Sequence, residues 1–193
     1  ATMVRQYLRT DSGITEPRSD LIKALMINGA EDIGTANIPN PSEGWGQINV
    51  TNSITPNEDG TDLDLLYDDS RELDPGHSFV YTFTVDSTTN FDVTLAWVDL
   101  EASTIANQSA VKLVNDLDLT ATAPDGTVYH GNVFSNGYST TGGVADRLNN
   151  VERIKIPAGN SGVWTISVGH SGGFAQSFAL VASGLLQEQS VAD

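Results

Sequence analysis

The 193 residues carry 25 acidic against 9 basic side chains, a net charge of −16, with 39% hydrophobic residues and no cysteine. That balance makes nucleic acid and an anionic membrane surface poor partners, because phosphates need Lys and Arg to displace their counterions. The missing cysteine removes disulfides, thiol catalysis and Cys-based zinc sites, and no apolar run approaches the ~20 residues that cross a bilayer.

Residues up to about 50 read as helical. In Met3-Val4-Arg5-Gln6-Tyr7-Leu8, the residues Val4, Tyr7 and Leu8 share one face, and Gly13 suits a stop. Ala1-Thr2-Met3-Val4-Arg5 lacks the charged front and apolar stretch of a signal peptide. The chain starts in what reads as the middle of a helix, so the front of a parent protein is expected to be missing. Pro17 fits the first turn of a second helix, in which Leu21, Ile22, Leu25 and Met26 form a broad apolar face closed by Gly29. An irregular loop with Pro39, Pro41, Gly44 and Gly46 leads to a short strand candidate, Gln47–Val50. Residues 52–74 hold Glu58, Asp59, Asp62, Asp64, Asp68, Asp69, Glu72 and Asp74, which reads as an acidic linker or an exposed edge.

Short strands alternate with turns thereafter. Phe79, Tyr81, Phe83 and Val85 alternate with polar or smaller residues, Val93–Trp97 follows, and Leu117–Ala123 ends in the turn Pro124-Asp125-Gly126. Val128–His130, Glu152–Ile156, Val163–Val168 and Phe178–Ala182 complete a pattern that predicts a mainly β fold, a β-sandwich.

Two motifs fail on their context. Gly169-His170-Ser171-Gly172-Gly173 matches the G-x-S-x-G nucleophile elbow, which needs a strand before and a helix after. Both flanks here read as strands, and no histidine follows His170. Asn57-Glu58-Asp59-Gly60 has an EF-hand flavour, but the register puts Thr55 and Leu66 where carboxylates belong. His77, His130 and His170 are scattered, and Asn49-Val50-Thr51 and Asn107-Gln108-Ser109 match the glycosylation pattern, which matters only in a eukaryotic secretory host.

A third constellation carries more chemistry. In Leu113-Val114-Asn115-Asp116-Leu117-Asp118-Leu119, Asp116 and Asp118 share one strand face with the leucines opposite. Paired carboxylates repel unless a positive charge lies between them. Asp99 ends one strand, and Asn150 and Glu152 begin another. If these ends converge, Asp99, Asp116, Asp118, Asn150 and Glu152 form a Ca²⁺ cage; otherwise they are turn residues accepting from backbone N–H groups.

Several segments together resemble the subtilisin-like serine proteases (subtilases). Leu21–Ala30 followed by Glu43-Gly44-Trp45-Gly46-Gln47-Ile48-Asn49 resembles the end of their catalytic domain. Val93–Asp99, Leu113–Leu119, Ala123–Thr127 and Asn149-Asn150-Val151-Glu152 resemble the C-terminal β-barrel or jelly-roll domain of the oxidatively stable alkaline branch, which is similar in shape to the P domain of proprotein convertases. The resemblance implies a remnant of the catalytic domain at 1–51, a linker at 52–74, a jelly-roll sandwich at 75–186 and a tail at 187–193. It implies a secreted serine endopeptidase acting on protein or peptide substrates, with catalytic Asp, His and Ser all upstream of Ala1 and none in this chain. Calcium in the family's barrel adds weight to the cage. The expected partner is the N-terminal catalytic part of the same protease, against which Leu21, Leu25 and Trp45 would be buried. The alternative is a stand-alone carbohydrate-binding or adhesion module, with Trp97 and Trp164 as the stacking residues unless they are core.

Overall fold

The computed structural model describes residues 1–104 and 111–192; Asn107-Gln108-Ser109 lies outside them. Three helices come first: α1 (Thr2–Thr10), α2 (Ser19–Asn28) and α3 (Val50–Ile54). The strands follow as β1 (Asn57–Glu58), β2 (Thr61–Asp62), β3 (Asp64–Asp68), β4 (Glu72–Leu73), β5 (Ser78–Val85), β6 (Phe91–Trp97) and β7 (Asp116–Thr122). The remainder are β8 (Val128–Ser135), β9 (Tyr138–Thr141), β10 (Val151–Ile156), β11 (Gly162–Gly172), β12 (Gln176–Gly184) and β13 (Leu186–Ala192).

Two antiparallel sheets face one another. One has the order β10-β6-β12-β3, the other β13-β5-β11-β7-β8-β9. The period of two sends Tyr81, Phe83, Leu117, Leu119, Ile166 and Val168 inward against Leu95, Trp97, Ile154 and Phe178. Phe91 and Tyr129 both pack against Trp164, with ring centroids 5.7 and 5.8 Å away. Trp97 and Trp164 are each 1% exposed, and their ring N–H groups donate to the carbonyls of Asn115 and Asn160. They are core residues, and neither offers a face to a sugar. The fold is a mainly β sandwich with a few helices.

The helices cover the outer face of the first sheet. Along β12, Phe178, Leu180 and Ala182 enter the sandwich core, while Ala179 and Val181 join Val4, Leu8, Leu21, Ile22 and Leu25 in a second core. β6 is buried along its whole length for the same reason. Leu21 and Leu25 were expected to need a partner outside this chain; they are instead buried within it, at roughly 1.5–3 kcal/mol each, because the outer face of β6 and β12 is small and apolar. Trp45 is half-buried and stacks edge-on against Phe134.

Three other expectations change. Within the stretch read as an acidic linker or an exposed edge, the edge holds: β3 pairs with β12 from Asp64↔Gly184 to Asp68↔Leu180, and β4 pairs with β12 as well. Its acidity is that of an edge strand, where charge discourages pairing with another chain. Asp59-Gly60 (φ 50° and 84°) is the two-residue turn between β1 and β2. The tail forms β13, paired to β5. Gln47 only bridges Glu31, and Val50 starts α3 under an Asn49 cap.

Candidate metal site at the sandwich edge

β7 and β8 pair only at Thr120–Thr122 with Val128–His130. Beyond that point β8 leaves β7: Asn132 adopts φ 62°, and its side-chain amide takes over the pairing with β10. Its Oδ1 accepts from the Arg153 N–H at 2.9 Å, and its Nδ2 donates to the Val151 carbonyl at 2.8 Å. The divergence leaves the Leu119 N–H without a strand partner, and Glu152 fills the gap.

Glu152 shares the inward face of β10 with Ile154 and Ile156. Its Oε2 accepts from the Leu119 N–H at 2.7 Å. The side chain lies on Gly131 so closely that a Cβ there would come within 2.2 Å of Oε2. Glu152 is 1% exposed, and its Oε1 has no hydrogen-bond partner. Burial pushes its carboxyl up to about 9; the Leu119 N–H opposes this, and the nearby charges of Asp118, Asp146 and Asp116 add to it.

Asp116 and Asp118 stand on the outer face of β7, with Leu117 and Leu119 inward. Each keeps a buried Oδ1 without a partner. The other oxygen of Asp116 accepts from Arg147, and that of Asp118 from the Ser171 hydroxyl. Burial and then the neighbouring Asp118 raise the Asp116 carboxyl above its ordinary value, against the pull of Arg147. Asp146 completes the group from the loop before β10. It is held by Asn132 and Asn149 side-chain amides, both at 2.6 Å, and by the Leu148 N–H at 2.8 Å.

The structure thus brings Asp116, Asp118 and Glu152 into one electrostatic cluster. Asp99 and Asn150 spend their oxygens elsewhere. Both Asp99 oxygens accept backbone N–H groups, from Leu100 and Asn115 on Oδ1 and from Val114 on Oδ2. Asn150 Oδ1 takes Lys23 Nζ at 2.7 Å, and its amide donates to the Trp97 carbonyl. Sequence reasoning passed over Asp146, although it lies three residues before the Asn149-Asn150 pair that drew attention. Among the described residues, no three carboxylate or imidazole side chains stand in a ready metal-ligating arrangement. Asp116, Asp118 and Glu152 nevertheless each keep a buried oxygen without a partner, and carboxylate oxygens are the ligand type that hard divalent cations take.

Ser171, the serine of the elbow-like motif, lies within β11 rather than on a strand-to-helix turn. His170 is buried, with its two ring nitrogens against the Leu73 and Gly172 carbonyls at 3.0 and 2.9 Å.

A second surface lies on the far side of α2. Ile22, Met26, Ile27, Trp45 and Ile48 line an open apolar groove of ≈ 450 Å³, with Arg5 and Lys23 at its rim.

No protein-family model matches the chain. The chain is 33% identical over 185 residues to a Dictyostelium discoideum protein named serine protease/ABC transporter B family protein tagA. The match covers 87% of this chain and 10% of that protein. It is longer than residues 57–192 and so reaches into the helical segment as well as the sandwich. The chain is thus similar to one short stretch of a much larger protease-named protein.

Proposed function

We propose that the chain is the C-terminal portion of the protease region of a secreted subtilisin-like serine endopeptidase. In this reading residues 1–51 close the catalytic domain and the sandwich stabilises it. The observation that carries the reading is the match itself, which runs through helices and sandwich alike within a protease-named protein. The apolar groove over Ile22, Met26, Ile27 and Ile48 agrees with this reading, since a contiguous apolar hollow on so acidic a chain is the kind of surface that a catalytic domain would cover.

The test is to co-express the chain with the polypeptide encoded upstream of Ala1. Co-elution of the two, with fluorophosphonate labelling of the upstream part, is the expected result. Ile48→Glu, on the groove and 58% exposed, should weaken co-elution by charging the apolar contact, while leaving the chain's own melting temperature within a few degrees. Failure of the wild-type pair to associate would remove the reading.

The sandwich is proposed to bind Ca²⁺ through Asp116, Asp118 and Glu152, the three acids of the group that keep a buried oxygen without a partner. The ion would supply the positive charge that the clustered carboxylates lack. The Leu119 N–H and the bare backbone of Gly131 hold Glu152 in place for it. Calcium at a hundredfold excess over its Kd should add about 2.7 kcal/mol of stability, measurable as a rise in melting temperature that EDTA reverses.

A further inference from the structure

A polar cavity of ≈ 370 Å³ lies on the seam between the helical front and the sandwich, walled by the end of α2, by α3 and β1, and by β6 and β10. Its size falls among small-molecule sites, which run from about 300 to 1,000 Å³. Its walls carry buried groups of opposite sign that have nothing to bond. Arg153, on the sandwich side, is 1% exposed. Its Nε and Nη2 are spent on Asp92 and the Asn28 carbonyl, and its Nη1 has no acceptor. Asp32, on the helical side, accepts the Asn37 and Ile38 N–H groups on Oδ2 at 3.0 and 3.4 Å, and its buried Oδ1 has no donor. Both residues line the cavity, and the two open atoms do not meet each other across it.

The chain's own hydrogen bonds set the walls. Glu31 Oε1 accepts from the Asn49 and Asn52 amides at 2.6 and 2.8 Å. The Asn28 side chain is held by Ser183 and Thr94, and Glu58 Oε2 takes the Asn90 N–H at 3.0 Å. A pre-formed site spends little on ordering itself around a ligand. Charge narrows the ligand class. The lining carries Glu31, Asp32, Glu58 and Asp92 against Arg153 and Lys155. A simple anion would meet those carboxylates, and a simple cation would leave the buried Arg153 Nη1 unmet. A molecule with both charges answers both open atoms.

We propose that this cavity binds a free α-amino acid, with its carboxylate on Arg153 Nη1 and its ammonium on Asp32 Oδ1. Lys155 follows Arg153 by two residues on β10, so it shares the same strand face and adds to the pull on the carboxylate. The apolar lining is confined to Ala30, Pro56 and Leu63 beside the asparagine amides, which suits a small polar side chain. The bound amino acid ties Asp32 of the helical front to Arg153 of the sandwich, so filling the cavity strengthens the seam.

The experiment is calorimetric titration of the 193-residue chain with glycine, L-serine and L-asparagine, with acetate and methylamine as single-charge controls, and melting temperatures in each. At least one of the amino acids should bind saturably and raise the melting temperature. Acetate and methylamine should each bind at least about tenfold more weakly, because each leaves one charged group without its hydrogen bond. Asp32→Asn keeps an oxygen for the Asn37 and Ile38 N–H groups but loses the charge; it should melt near wild type and bind the amino acid about tenfold more weakly. Asp92→Ala with Arg153→Met, which removes the guanidinium together with its counter-ion, should abolish binding. No binding of any of the three amino acids to wild type overturns the proposal. Acetate binding as tightly as the amino acids overturns the two-charge recognition, and undiminished binding in Asp32→Asn overturns the placement.

Discussion

Glu152 is a carboxylate in the position of a core residue. It shares a strand face with Ile154 and Ile156, and its ionised form is disfavoured by burial first and by three acidic neighbours after that. With EDTA excluding divalent cations, the folded carboxyl holds its proton up to about 9, while the unfolded one releases it near 4.5. A proton held more tightly by the folded state stabilises it fully below the lower value and progressively less as pH rises. The loss approaches ~1.4 kcal/mol per pH unit between the two values and ends above the upper one. Urea midpoints across that interval check this: wild type should lose stability with rising pH, and Glu152→Gln, which cannot ionise, should show a shallower slope. Parallel slopes would mean that Glu152 ionises normally. Little of this was legible in the residue string. The Asp116–Asp118 pair announced itself by its spacing, but the burial of Glu152 depends on β8 turning away at Asn132, which no local pattern signals. Asp99 had the same look as the cluster members and turned out to cap backbone N–H groups.

At the scale of elements, the joint between α2 and the sandwich rests on a buried polar network. Arg153 projects from the helix-facing side of β10. It donates to Asp92 Oδ1 through Nε and Nη2 at 3.1 and 2.7 Å, and to the Asn28 carbonyl at the end of α2 at 3.1 Å. The Asn28 side chain bonds Ser183 and Thr94. Asp92→Ala would leave the Arg153 charge buried without its counter-ion, at a cost of about 3–5 kcal/mol; Asp92→Ala with Arg153→Met should cost clearly less, and thermal denaturation of the pair decides it. An equal loss in both variants would assign the damage to packing. The strands themselves were readable, β5 from its alternation and β6, β7, β11 and β12 as short apolar runs between turn residues. β3 and β13 were not, because acidic and polar side chains on an edge strand look like a linker or a tail until a neighbouring strand is in view.

For the whole molecule, three layers share two strands. β6 and β12 give one face to the sandwich core and the other to the helices, so neither core can form without them. Apolar patterning showed a helical front and a β remainder but could not show that they are glued together, since the residues that join them, such as Ala96, Ala179 and Val181, are small and unremarkable in sequence. Where a gene is cut therefore matters. A polypeptide beginning at residue 75 would carry every residue of the familiar β pattern yet lack β3, β4 and the helical cover, baring Ala96, Val151, Ala179 and Val181 to water. It should appear in the insoluble fraction while the 193-residue chain stays in solution. A soluble, cooperatively melting product from residue 75 would show instead that the helices are passengers. The unit that travels intact through recombination is then the helices and the sandwich together, because the seam between them runs through the middle of a sheet.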